Sequence, residues 1–347
     1  MTHRHCFEAL DRTFQDLRNC PKRFGGLTMV FGGDFQQILP VVPRGSRAEI
    51  VNASLQQSSL WNDMQILKLE ENMRLRHSPE DTLFAQWLLD IGHGRNIDDD
   101  SKVQLPQHMI THDENELIHS IYGDIANQGL PPSPEYFLHH AILAPRNVDV
   151  QETNAKILAN MPGNEIVYHS ADSLETDEFY KRQDDVPDNV LRALVLSSLP
   201  LSELKMKIGC PLMLLQNLDP KKGLCNGTRM ILHCAYPHVL EISIIGGDHH
   251  GEKAFIPRIT LKPSSQQYPF VLRRRQFPVC LCFAMTINKA QGQSLKYVGI
   301  HLLSPVFCHG QLYVALSRAT CSSNIKILLP SNDTKTINVV YQEVLID

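Results

Sequence analysis

The chain has 347 residues and a mass of 39.3 kDa, long enough for two or three domains. Its 43% hydrophobic and 20% charged residues are an ordinary globular mix able to fill a core. A net charge of −4, from 33 Lys or Arg against 37 Asp or Glu, excludes a globally basic nucleic-acid protein, and no apolar run approaches a membrane span. The opening MTHRHCFEALDR lacks the apolar centre of a secretory signal, so a soluble intracellular protein with no membrane partner is expected.

In chain order, FEALDRTFQDL puts Phe7, Leu10, Phe14 and Leu17 on one stripe and predicts an opening helix. LTMVF (27–31) reads as a buried strand whose tip is GGDFQQ (32–37), and Asp34, Gln36 and Gln37 are more polar chemistry than a turn requires. PEDTLFAQWLLDIGHG spaces Leu83, Phe84, Trp87, Leu88 and Ile91 as a helix, with Gly92 and Gly94 as stop signals. The polar stretch from there to about residue 135 predicts loops and a short helix. AILAPRN (141–147) predicts a second core strand with a polar tip, and VDVQETNAKILANM a helix after it. The acidic segment 172–188 predicts a loop. From 196 to 277 the pattern changes to short strands with turn signals: PLMLLQN, NGTRMIL, LEISIIGG, AFIPRITL and PFVLRRR. That is the signature of a small β-barrel. CLCFAMTI restarts the strand-then-helix rhythm, which YVALSRA and IKILLP close. The sum is α/β: parallel-sheet lobes carrying an inserted barrel.

Charge is segregated along this frame. From Lys253 to Asn332 no Asp or Glu occurs while ten Lys or Arg do, among them Arg273, Arg274 and Arg275. Acids gather at Asp98, Asp99 and Asp100 and between Asp172 and Asp188. A long acid-free basic segment fits a local phosphate-binding face, against the plainer reading of a solvated surface with chance segregation. Nine cysteines and sixteen histidines show no zinc-like spacing, since Cys280 and Cys282 have no second pair, so no metal ligands are assigned.

Ligands in open parallel sheets sit beyond the carboxyl ends of the strands. Here GGDFQQ (32–37), TINKAQGQS (286–294) and LSRA (316–319) are all loaded with polar groups, and NMRL (72–75) adds Arg74. Glutamine can orient a water or sense a terminal phosphate, and arginine can neutralise charge that develops in phosphoryl transfer. Each stretch alone also reads as ordinary surface; together they describe a polyphosphate site.

At these residues the chain resembles the superfamily 1B helicases of the PIF-one-like and RecD-like group, and within it the helicase portion of Helitron-type transposons. GGDFQQILPVVPRGSR resembles motif III, LEENMRL motif IV, FAMTINKAQGQSL motif V and HGQLYVALSRA motif VI. LKMKIGCPLMLLQNLDPKKGLCNGTR resembles the start of the inserted barrel called domain 2B. The matches run from near residue 1 to about 328. The resemblance implies RecA-like lobes with an SH3-like insert: the carboxyl-terminal part of lobe 1A at 1–78, lobe 2A at 79–195 and 278–347, and 2B at 196–277. It implies ATP and magnesium as ligands, single-stranded DNA as partner, 5′-to-3′ translocation and a nuclear or mitochondrial setting. Carried over by position, Asp34 and Gln37 would read the γ-phosphate beside Gly33. Arg74 and Arg318 would approach the triphosphate, Arg318 as a finger across the cleft. Gln291 and Gly292 would lie between nucleotide and DNA, Thr286 and Lys289 near the strand backbone. Asn226, Gly227 and Thr228 of the barrel would help hold the strand.

The chain departs from the family at one point. No GxxxxGK[ST] run occurs, and the nearest spacing, Gly246 to Gly251, is followed by Glu252, whose carboxylate would repel phosphate. No DE pair after an apolar strand precedes motif III, and MTHRHCFEALDR resembles what directly follows the family's magnesium-binding acids. The expectation is therefore a first lobe left incomplete and no ATPase activity by the chain alone. Three readings follow: part of a helicase, a non-enzymatic single-strand or partner-binding module, or a subunit completed by a chain that supplies the P-loop half.

Overall fold

A computed structural model describes residues 2–69, 79–127, 133–174, 187–194, 196, 198–263 and 270–345. They fall into two compact units, one of residues 1–112, 290–296 and 300–347, the other of residues 113–289 and 297–299.

In the first unit the expected helix spans Arg4–Arg18, with the His3 ring accepting from the His5 amide at its start and Asn19 in the left-handed region at its end. Asp11 is its buried polar anchor: the carboxylate accepts from the Phe24 amide (2.5 Å), Gln15 (3.1 Å) and Arg23 (3.3 Å). The chain then turns so closely that a Cβ on Gly25 would stand 2.4 Å from the Phe14 carbonyl oxygen, at a φ of +62°.

The expected strand at 27–31 does not form. These residues pair with no strand among the described residues, and Val30 is 91% exposed. A helix bonds within itself, but a strand needs a neighbour to take its amides, so apolar composition alone does not make one. After the polar loop 32–38, a capping box of Ser46 and Glu49 starts the helix Arg47–Asn52. The helix Pro79–His93 runs through Gly92, which was expected to stop it. Gly92 is instead a close approach, since a Cβ there would lie 2.6 Å from Gln36 Oε1, and Gly94, at φ +67°, turns the chain out. Lys102–Gln104 pairs antiparallel with Lys335–Ile337, and Ile110–Thr111 pairs parallel with Ile325–Leu328. Motif VI supplies the short buried helix Gln311–Leu316.

In the second unit the stretch expected to hold loops and a short helix carries a 14-residue helix, Glu114–Asn127, kinked at Tyr122. Its stripe of Leu117, Ile118, Ile121 and Ile125 is buried, and that burial outweighs the polar residues between. His140–Ala144 forms the expected core strand, parallel to Ala284–Thr286. The helix Asn147–Asn160 covers them, its Asn154 side chain donating to the Ala284 carbonyl (3.0 Å) and accepting from the Ala284 amide (2.8 Å), as a neighbouring strand would. Five antiparallel strands then form one sheet in the order 253–257, 239–245, 229–235, 211–214, 279–281, around Leu212, Leu214, Met230, Leu232, Leu240, Ile242 and Ile256. A smaller sheet joins Ile259–Leu261, Leu272–Gln276 and Ala171–Leu174. The start of the acidic segment is therefore strand and not loop, because Asp172 has a buried partner (below). The rest of that segment, 175–186, lies outside the described residues.

Candidate functional site

The first unit brings motifs III, V and VI together. Asp34 shapes the loop: its carboxylate accepts from the Gln36 amide (2.9 Å) and its carbonyl from the Gln37 amide (3.2 Å). The Gln37 side chain donates to Asp34 Oδ2 (3.1 Å) and accepts from Gln291 Nε2 (2.8 Å), a bridge between residues 254 apart in sequence. Gln291 Oε1 is buried with no hydrogen-bond partner. Around Gly32 and Gly33 nothing stands within 4 Å of where a Cβ would be, and the same holds for Gly292 at φ +84°.

Arg318 is 3% exposed and turned inward. It donates to the Val314 carbonyl (2.9 Å), the Gln293 carbonyl (2.9 Å) and Ser317 Oγ (2.9 Å), with the Ala290 carbonyl at 3.5 Å. Expected as a finger on the triphosphate, it here braces the turn that carries Gln291 and Gly292 through backbone carbonyls and the Ser317 hydroxyl. Arg74, the other arginine expected at the triphosphate, lies outside the described residues.

Two residues of motif VI that drew no assignment from the sequence sit directly against the motif III loop. His309, 1% exposed, donates from Nε2 to the Phe35 carbonyl (2.7 Å) and accepts at Nδ1 from the Tyr341 amide (2.8 Å). Those partners fix one neutral tautomer, and burial pushes the ring's pKa below its usual value. Gly310, at φ +73°, has no room for a side chain: a Cβ would stand 2.4 Å from the Gln36 carbonyl oxygen. Gln36 itself reaches the His93 ring at 3.2 Å. The sequence signal was present in the His-Gly pair heading HGQLYVALSRA, but only the fold shows what the pair touches.

Among the described residues no group of three or more His, Cys, Asp or Glu is placed to hold a metal. The open glycines, the amide bridge and the buried acceptor fit the terminal-phosphate end of a nucleotide with its water, and supply no cage for magnesium.

The second unit places the residues assigned to DNA. Thr286 ends its strand and Lys289 lies on the following turn, Ile287–Ala290, both half-buried. Asn226 is exposed, its amide held by Asn217 Oδ1 (2.7 Å). Thr228 differs from the expectation: its hydroxyl donates to the Gly223 carbonyl (2.7 Å) and accepts from the Cys225 amide (3.1 Å), which pins the turn from inside. The arginine triplet is also divided. Strand alternation exposes Arg273 and Arg275 and buries Arg274. Arg274 pairs with Asp172 (2.8 Å), their side chains 1% and 4% exposed, and donates to the carbonyls of Leu191, Leu194 and Pro200. Such a guanidinium cannot meet a strand of DNA. On the outer face Arg273 and Arg275 stand opposite Ser173, Ala171 and Thr260, all small, and Lys262 follows, exposed, at the strand's end.

Residues 1–102 match the PIF1-like helicase family model, and residues 189–233 the 2B domain of DNA helicase Pif1. The chain is 28% identical over 337 residues to ATP-dependent DNA helicase PIF1 of Rattus norvegicus, covering 93% of this chain and 44% of that protein. It is 26% identical over 317 residues to ATP-dependent DNA helicase Pif1 of Bdellovibrio bacteriovorus, covering 90% of this chain and 61% of the relative. The fold is similar to Pif1 helicase of Candida albicans (TM-score 0.62, 22% identity, 99% of this chain, 73% of the other). It is similar also to Bacteroides Pif1 bound to ssDNA (TM-score 0.63, 21% identity, 100% and 70%). The chain thus spans about half the length of the helicases it resembles in sequence.

Proposed function

From the premise that this chain is a PIF1-like helicase relative of superfamily 1B, we propose that it forms the nucleotide-sensing and strand-holding part of an ATP-driven 5′-to-3′ DNA helicase. The observation that carries the reading is the amide bridge from Gln37 to Gln291, which joins motif III to motif V at 2.8 Å. A change at the terminal phosphate felt by Gln37 would pass to the turn that carries Gln291 and Gly292, directly after Thr286 and Lys289 in sequence. In this reading Gly33, Asp34 and Gln37 meet the phosphate end, Gln291 orients a water with its unpartnered oxygen, and Arg318 holds that turn. Bound MgATP would supply the phosphoryl-transfer energy; its magnesium and its β-phosphate need groups these residues do not include. On the DNA side the reading assigns the strand backbone to Lys289, Asn226, Arg273 and Arg275. Work on chromosomal or mitochondrial DNA, in repair, recombination or transposition, is the setting.

A second reading, a single-strand-binding module without ATPase activity, is favoured by the exposed arginines combined with the lack of a P-loop run. Two measurements on the purified chain separate the outcomes. We expect no DNA-stimulated ATP hydrolysis, and turnover abolished by Gln37→Ala would overturn that. We expect salt-sensitive binding of labelled single-stranded DNA, with R273E/R275E weakening it and lowering the log–log salt slope by about 2. Unchanged binding by that variant would remove the DNA face from both readings.

A further inference from the structure

We infer that His309 is a positioning residue that ties the motif III sensor loop to the carboxyl-terminal segment 338–345, so that this segment sets where Gln37 stands. The inference rests on the reading of Gln37 as a phosphate sensor and adds a second input to it.

The geometry is a chain of short contacts inside one unit. The His309 imidazole spans two backbones, donating to Phe35 O at 2.7 Å and accepting from Tyr341 N at 2.8 Å. Its ring stacks on Tyr341 at 5.4 Å. The next residue fastens both sides again: the Gly310 amide donates to Val339 O (3.1 Å), and its α-carbon lies against Gln36 and Gln37 with no space for a methyl group. The segment is anchored beyond this point. Tyr341 and Val344 share a buried cluster with Leu39, Arg47 forks onto Glu343 (3.1 and 2.7 Å) and lies over the Tyr341 ring, and Gln56 donates to Val344 O (2.9 Å). Displacing 338–345 therefore pulls on His309, and His309 pulls on the carbonyl two residues before Gln37. An apolar side chain of the same volume would couple the two only through packing, with no fixed registry between the backbones. A side chain with a donor and an acceptor 2.7–2.8 Å from two backbones transmits position.

The test is hydrogen–deuterium exchange on the full chain without nucleotide, read in peptides covering 32–38 and 339–345. Asn at 309 keeps an acceptor near the Nδ1 position and loses the donor to Phe35, while Gln keeps the donor and loses the acceptor. His309→Asn is expected to speed exchange in 32–38 by about tenfold and spare 339–345; His309→Gln does the reverse. Val344→Ala, which loosens the segment, speeds exchange in both peptides of the native chain. In the His309→Asn background it speeds only 339–345. Equal effects of Val344→Ala on 32–38 in both backgrounds would route the coupling through Leu39 or Gly310 and overturn the proposal. So would no effect on 32–38 in the native background, a comparison that needs no His309 variant to fold. Because no nucleotide is present, failure here leaves the sensor reading standing, and failure of the ATPase and DNA tests leaves this coupling standing.

Discussion

At the scale of single residues, the arginine triplet and His309 carry the sharpest expectations. Removing one partner of the buried Arg274–Asp172 pair strands a charge, so Asp172→Asn or Arg274→Met should cost about 3–5 kcal/mol in urea unfolding. Arg273→Ala or Arg275→Ala, exposed, should stay within about 0.5 kcal/mol. Equal costs for all three would contradict the assignment. His309 gives a pH dependence of known sign. It is neutral in the fold with its pKa lowered, chiefly by burial, while the Phe35 carbonyl and Asp34 raise it, Arg47 lowers it and Glu343 raises it. Tyr341, whose own pKa burial raises, and Cys308 complete the titratable groups around it. The unfolded chain then takes a proton the folded chain refuses, so the contribution is complete above about pH 6.5 and shrinks as pH falls toward the folded value. Between pH 7.5 and 5.5 the urea midpoint of the native chain should fall further than that of His309→Gln; parallel curves would count against it. Period-2 alternation in LRRRQ could have placed Arg274 beside Leu272 from sequence alone. The tautomer of His309 could not be read that way, because Phe35 and Tyr341 are distant in the chain.

At the scale of elements, the readings that held are those that carry their own boundary signals or satisfy their own backbone. The helices at 4–18, 79–93 and 147–160 were legible from apolar spacing because each satisfies its own backbone. The short strands after residue 210 were legible because turn signals bracket each one. LTMVF failed for the converse reason, and Gly92 was misread because a glycine that ends a helix and one that admits a neighbour look alike in sequence. Gly310 is that second kind in a stricter form. Gly310→Ala meets the Gln36 carbonyl at 2.4 Å and a positive φ, and should destabilise by about 1–3 kcal/mol. The loss should appear as faster exchange in 32–38 than in the five-stranded sheet of the second unit; a global, uniform loss would mean that the contact is not local.

At the scale of the molecule, the sequence by itself carried the resemblance to the PIF1-like helicases, the α/β class and the order of the polar stretches, since these are written in local spacing and residue type. Only the tertiary structure decided which polar groups are spent on the fold and which remain for a ligand. It turned Arg274 into an internal ion pair, Thr228 into a turn pin and Arg318 into a brace, and it drew His309 and Gly310 into the site. The physical reason is that a buried donor must be satisfied wherever its partner lies along the chain, and sequence spacing says nothing of partners 102 or 274 residues away.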